Sequence, residues 1–338
     1  MENRLFGRRV HGVLMTAYVK EAVMETAIKL EGVSKSFGKR CVVDHIHMET
    51  YQGEVFGFLG PNGAGKTTTI KMLVGLIDFD EGKISICGQD IRKNFEKAMA
   101  NVGGIVENPE LYKYMTGMQN LHQYARMRKG VTEERINEVI QLVGLSNRIH
   151  EKVSKYSLGM RQRLGVAQSL LHHPKVLILD EPTNGLDPAG IRQLRDILRD
   201  LAHREKICVL VSSHLMSEMQ LMCDRVGIIV KGKLLSVTSV DELVASAAGM
   251  QNCFKYHVSD AQAAVRILTR GCRPWRVSAE DDTHFEIILN TEEVEEALGL
   301  ISKMLVSEDI LLYTAAPKET GRLEDAFIEL TKGDEQIA

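Results

Sequence analysis

The chain has 338 residues, too many for one ordinary domain and enough for about two of ~150 residues each. Lys and Arg number 42 against 45 Asp and Glu, a formal charge of −3, which argues against a dedicated nucleic-acid binder, while 44% hydrophobic and 26% charged residues are those of a globular chain. No run approaches the ~20 apolar residues that cross a bilayer, and the six scattered cysteines (Cys41, Cys87, Cys208, Cys223, Cys253, Cys272) include no Cys-x-x-Cys pair, so a reducing cytosolic setting without disulfide framework or zinc site is expected.

Residues 1–24 carry Arg4, Arg8 and Arg9, then a mildly apolar stretch from Val13 to Val19 broken by Lys20. This lacks the clean apolar core and small-residue cleavage site of a signal peptide. A poorly ordered extension is expected, with a basic segment lying on a membrane surface as the alternative. From Ala27 onward short β-type runs alternate with helical stretches. Val55–Leu59, Val176–Leu179, Ile207–Val211 and Val226–Val230 are nearly continuous apolar runs, the pattern of strands covered on both faces in a parallel sheet. Residues 113–172 contain no such run and read as helical. Thr132 stands at a plausible N-cap ahead of Ile136, Val139, Ile140 and Val143 at helical spacing. Beyond residue 240 the pattern changes. Phe254, Tyr256 and Val258 alternate with Lys255 and His257, a half-buried strand. Val294, Ala297, Leu298 and Ile301 follow helical spacing, as do Leu323, Ala326, Phe327 and Leu330. The expected division is an extension over 1–24, an α/β unit with a helical insert over 25–240, and a small accessory α+β domain over 241–338.

Two runs carry phosphate chemistry. Gly60-Pro61-Asn62-Gly63-Ala64-Gly65-Lys66-Thr67-Thr68 fits G-x-x-x-x-G-K-[ST] between a strand and a helix. Glycines there let successive N–H groups turn inward onto phosphate, and the following helix offers its positive end to the same anion. Lys66 would neutralise the β and γ phosphates, and the Thr67 hydroxyl would ligand Mg²⁺. The second run ends a buried strand in Asp180-Glu181-Pro182. Asp180 is then expected at the sheet's C-terminal edge, where it can hold the Mg²⁺ shell, and Glu181 is placed to polarise a water for in-line attack.

Three further stretches complete the pattern: Tyr156-Ser157-Leu158-Gly159-Met160-Arg161-Gln162-Arg163 one helix upstream of Asp180, Asn184-Gly185-Leu186-Asp187 after the Glu181-Pro182 turn, and His214 after Ser212-Ser213. With these the chain resembles the ATP-binding subunits of ABC transporters, which have a P-loop NTPase ABC ATPase domain with a helical subdomain, over about 25–240. The resemblance implies that 60–68 is the Walker A loop, 176–180 the Walker B strand, Glu181 the catalytic glutamate, Asn184–Asp187 the D-loop, His214 the switch histidine and Phe37 the ring that stacks on adenine. It further implies ATP and Mg²⁺ as ligands. Two such units would pair head to tail, the phosphate loop of one facing Ser157 and Gly159 of the other, as in a homodimer. The stretch around 107–120 would pass motion to a separate transmembrane permease, placing the chain peripherally on the cytoplasmic face of the membrane. No nucleic-acid partner is expected.

Two departures refine the resemblance. The usual Leu-Ser-Gly-Gly-Gln signature is replaced by Tyr156-Ser157-Leu158-Gly159-Met160, which keeps the hydroxyl and the helix N-terminus. The usual Mg²⁺-contacting Gln aligns with Glu107, a carboxylate that can still ligand Mg²⁺ but adds negative charge. Both departures, and the ending around Leu323–Thr331, are similar to the branch that exports bacitracin, lantibiotics and related peptide antibiotics for self-protection. The alternatives are an ABC-2-type exporter of another drug, lipid or sugar, an importer ATPase, and, in another class, a soluble ABC ATPase acting on ribosomes or DNA. Against the last stand the single ATPase unit per chain and the absence of sustained heptads between residues 67 and 179.

Overall fold

The computed structural model describes residues 25–248, 253–270, 274–289, 291 and 293–317. The expected 1–24 extension and the helical spacing at Leu323, Ala326, Phe327 and Leu330 lie outside the described residues. The chain opens with β1 (Thr26–Phe37) and β2 (Arg40–Tyr51), a long antiparallel hairpin. Then come β3 (Val55–Leu59), α1 (Lys66–Leu73), β4 (Glu81–Ile86), β5 (Gln89–Asp90), α2 (Phe95–Met99) and β6 (Val102–Ile105). Three helices follow without a strand between them, as the sequence predicts: α3 (Gly117–Arg126), α4 (Glu133–Leu142) and α5 (Leu158–Leu170). Each starts at a hydroxyl cap. Thr116 and Gln119 make a reciprocal capping box, Thr132 accepts from Arg135 N, and Ser157 accepts from Met160 N.

The next elements are β7 (Val176–Leu179), α6 (Pro188–His203), β8 (Cys208–Ser213), α7 (Met216–Met222), β9 (Arg225–Val230), β10 (Lys233–Ser239) and α8 (Val240–Ala248). Five of these strands form a parallel sheet in the order β9-β3-β8-β7-β6, closed at one edge by antiparallel β10. A second, antiparallel sheet has the order β2-β1-β4-β5. The continuous apolar runs of the parallel strands are explained by burial on both faces. Ile178, Cys208, Leu210 and Phe58 pack with α1 residues Ile70, Met72 and Leu73 and with the hairpin's Ile28 and Leu30. Leu177, Leu179, Val209 and Val211 pack on the opposite side with Leu164 and Leu170 of α5 and Leu194 and Leu198 of α6. At roughly 1.5–3 kcal/mol for each fully buried side chain, these two cores hold the sheet flat against its helices. Val240 and Leu243 of α8 belong to the same core.

Strand β8 runs two residues beyond the apolar run predicted for it. Ser212 and Ser213 extend it because they pair with Phe58 and Leu59 of β3. The last stretch holds β11 (Cys253–Val258), α9 (Ala261–Leu268), β12 (Trp275–Ala279), β13 (His284–Leu289), α10 (Val294–Ser307) and β14 (Leu312–Pro317). Its antiparallel sheet has the order β12-β13-β11-β14, the βαββαβ arrangement of a ferredoxin-like fold. Phe254, Tyr256 and Val258 point into a core with Ile267, Phe285, Ile287 and Ile301, as the alternation predicts.

Candidate nucleotide site

The centre of the parallel sheet positions the site, at the C-terminal ends of β3, β7 and β8. Residues 60–65 leave β3 and wrap into α1. Gly60 cannot carry a side chain there, since a Cβ would stand 2.2 Å from the Ile229 carbonyl oxygen. Gly65, at φ +110°, takes the left-handed conformation at the N-cap of α1 and supplies no side-chain cap. The first N–H groups of α1 therefore face the loop without a side-chain acceptor, the arrangement that binds anions. Phe37, Arg40, Val42, Asn62, Gly63, Gly65, Lys66, Thr67, Thr68 and Glu181 line a cavity of about 300 Å³ over this loop. Gly60, Pro61 and Ala64 shape the turn beneath it, with Ala64 N donating to the Pro61 carbonyl.

Lys66 is 5% exposed. Its ammonium donates to the Gly60 and Pro61 carbonyls at 2.7 and 3.2 Å and stands 3.4 Å from Glu181 Oε1. The other carboxylate oxygen of Glu181 lies 2.7 Å from His214 Nδ1. Glu181 itself has φ +48°, a conformation uncommon outside glycine that persists only where neighbours impose it. Two neighbours do so: its N–H donates to Ser212 Oγ at 2.9 Å, and its carbonyl accepts from Asn184 N. Ser212 Oγ in turn donates to Asp180 Oδ1 at 2.6 Å. Ser213 Oγ accepts from Leu215 N and fixes the turn that presents His214.

The predicted residues fall into three groups. The phosphate loop, Phe37 and Glu181 share one cavity, and Asp180 and His214 join it through the bonds just described. Ser157, Gly159 and Asp187 form a second group where α5 and α6 begin. A Cβ on Gly159 would meet Gly190 Cα and Leu186 Cδ2 at 3.7 and 3.9 Å, and Asp187 caps α6 by accepting from Gly190 N. Glu107 stands in a third place. It is exposed, at φ +67°, and its Oε1 accepts from Lys71 Nζ of α1 at 2.9 Å. That pairing offsets the negative charge by which Glu107 departs from the usual Gln.

Two residues escaped sequence reasoning. Arg40 lies opposite Phe37 in the hairpin register and lines the cavity beside it; the only signal was its place across the Gly38-Lys39 turn. Ser212 was noted only as a neighbour of His214, because the apolar run reads as ending at Val211 while the strand continues to Ser213. Behind Phe37, Asp80 accepts from Lys35 Nζ and Ser36 N, and these bonds hold its carboxyl below the usual carboxylate range.

The donors suit a nucleoside triphosphate with Mg²⁺. The glycine cradle admits no Cβ at Gly60, Lys66 and the α1 N–H groups would meet phosphate, and the Thr67 hydroxyl with the Asp180 carboxylate would supply the hard oxygens that Mg²⁺ takes. A phosphate loop on β3, paired with an acidic strand end on β7, defines a P-loop nucleoside triphosphatase. The sequence profile of the ABC transporter family matches residues 43–184. Over 314 residues the chain is 48% identical to the uncharacterized ABC transporter ATP-binding protein YhcH of Bacillus subtilis (strain 168), spanning 91% of this chain and 97% of that protein. Over 311 residues it is 38% identical to the bacitracin transport ATP-binding protein BcrA of Bacillus licheniformis, spanning 92% and 99%. The solved structure of an ATP-binding subunit of an ABC transporter shares 27% identity at a TM-score of 0.58, covering 65% of this chain and 93% of its own. The chain belongs to the ATP-binding proteins of the ABC transporter family and is an ATPase. Such subunits dimerise and work with transmembrane permeases; among the described residues no helix is long and apolar enough to cross a membrane.

Proposed function

We propose that this ATPase powers the export of peptide antibiotics of the bacitracin type, protecting the cell that carries it, through a separate permease on whose cytoplasmic side it sits. The observation that carries this reading is the reach of the likeness to BcrA. It spans 92% of the chain, the ferredoxin-like stretch included, whereas the solved ATP-binding subunit covers 65%.

The residues divide the work as follows. Phe37 offers an adenine base its exposed ring, 53% accessible, with Arg40 beside it. Lys66 leaves the Gly60 and Pro61 carbonyls for the β and γ phosphates, and the α1 N–H groups close around them. Mg²⁺, when held by Thr67 and Asp180, neutralises charge on the transferred phosphoryl group. Glu181 accepts the proton of the attacking water, and His214, with Nδ1 tied to Glu181, keeps its other ring nitrogen available for the γ-phosphate. Ser157, Gly159 and Asp187 lie together at the starts of α5 and α6 and face the phosphate loop of a second copy in a head-to-tail homodimer. Each site is then complete only in the closed pair, which is how ATP favours closure and hydrolysis reopens it. The stretch from Glu107 to α3, with Tyr112 and Tyr114 exposed on it, meets the permease.

The test is a growth panel. Cells lacking the chain, complemented with the parent or Glu181→Gln, are exposed to bacitracin, several lantibiotics and unrelated small drugs. Sensitivity confined to peptide antibiotics and relieved only by the parent supports the proposal. An unchanged panel removes the peptide cargo and leaves the ATPase.

A further inference from the structure

We propose that Ser212 is a positioning residue for ATP hydrolysis: one buried hydroxyl sets the side chain of Asp180 and the backbone of Glu181 together. This rests on the roles given above to those two acids. β7 and β8 run in parallel register, Leu179 beside Val211, so the next pair is Asp180 beside Ser212. In β8, Cys208 and Leu210 face α1, and Ser212 follows them by the two-residue period on the side that carries the phosphate loop. An apolar residue would fit that run equally well. The chain places a fully buried hydroxyl there instead.

A serine hydroxyl has one proton to give and lone pairs to receive. The proton goes to Asp180 Oδ1 at 2.6 Å, and a lone pair takes the Glu181 N–H at 2.9 Å. Fixing Oδ1 orients the carboxylate, so that Oδ2 is the oxygen left for Mg²⁺. Catching the Glu181 N–H holds that residue at φ +48°, and this backbone conformation aims its carboxylate between Lys66 and His214. Metal ligand and base are thereby fixed relative to each other through a single atom. Such outer contacts to metal ligands govern affinity and rate as strongly as many direct ones. Without the hydroxyl, Asp180 can rotate and Glu181 can relax toward an ordinary helical or extended φ.

Full-length parent, Ser212→Ala, Ser212→Thr and Glu181→Gln proteins are compared for kcat, for affinity toward a fluorescent ATP analogue, for half-saturating Mg²⁺ and for melting temperature. The expected result for Ser212→Ala is a kcat lower by about 10- to 100-fold, a Mg²⁺ requirement raised by about 10-fold, and an unchanged melting temperature and analogue affinity measured without Mg²⁺. Ser212→Thr, which keeps the hydroxyl, restores most of the kcat. The proposal is overturned if Ser212→Ala turns over at the parent rate. It is equally overturned if the melting temperature and analogue affinity of Ser212→Ala fall together with kcat, or if a folded, nucleotide-binding Ser212→Thr is as slow as the alanine variant. Glu181→Gln separates the two levels. If it is inactive while Ser212→Ala is active, only the role of Ser212 falls; if it is active, the catalytic assignment falls with it.

Discussion

Lys66 Nζ stands 3.4 Å from Glu181 Oε1, so the cation proposed for phosphate and the carboxylate proposed for water already face each other across the cavity. The pair is partly shielded, with Lys66 buried and Glu181 half-buried. In this arrangement each satisfies the other. In the proposed mechanism a nucleotide's phosphates would compete for Lys66 and free Glu181 toward water.

Replacing Lys66 by Ala removes the charge-assisted bonds to phosphate, which are worth about 1.5–3 kcal/mol each. ATP affinity is expected to fall by roughly 10- to 100-fold, measured by equilibrium titration with a fluorescent analogue. Full affinity in this variant would mean that backbone N–H groups alone hold the phosphates.

At Gly60 a methyl group has no room, because the Ile229 carbonyl oxygen lies where it would go. Gly60→Ala is expected to cost about 1–3 kcal/mol through overpacking and to weaken nucleotide binding by displacing the loop. A thermal melt with and without ATP reports both effects. An unchanged melting curve would show that β9 yields freely at this point.

The cap that Ser157 forms and the role proposed for it in the dimer can be separated. As the N-cap of α5 it accepts from Met160 N at 3.2 Å, and Ser157→Ala is expected to cost about 1 kcal/mol of stability. As a donor to the partner's nucleotide it should matter far more to turnover. The expected outcome is a small fall in melting temperature with a large fall in kcat. A small loss in both would restrict Ser157 to the cap.

The stability of the chain is expected to depend on pH through His172. Burial pushes its pKa below the ordinary histidine value, and its Nε2 lies 2.9 Å from the Val102 carbonyl oxygen. The fold therefore favours the neutral ring, so its contribution is present above the unfolded pKa of about 6.5 and is lost as pH falls through that value toward the folded one. Melting temperature should drop between about pH 7.5 and pH 5.5, and less so in His172→Gln. Equal slopes in the two proteins would remove His172 as the cause.

The phosphate loop and the acidic strand end were legible because each demands particular residues beside a strand or helix with its own period, whereas His214 was singled out only through the family resemblance. The apolar runs placed β3, β7 and β9 within a residue of where they lie, since a strand buried on both faces leaves an unbroken signature. β8 was read two residues short, because Ser212 and Ser213 look like a strand's end while their backbones still pair with β3. The hairpin β1–β2 and its Arg40 were hidden by a half-exposed, irregular register. Lys71 as partner of Glu107 was invisible for another reason: nothing in local sequence joins residues that meet only through tertiary packing.

Single-turnover and steady-state ATP hydrolysis by Glu181→Gln, with the association state followed by size exclusion in ATP and Mg²⁺, tests the assignment most directly. The expected result is near-parental ATP affinity, a kcat lower by about 10²–10⁴-fold, and a dimer that persists as long as ATP is present. Parental turnover, or a monomer throughout, would contradict Glu181 as the base that reopens an ATP-closed pair.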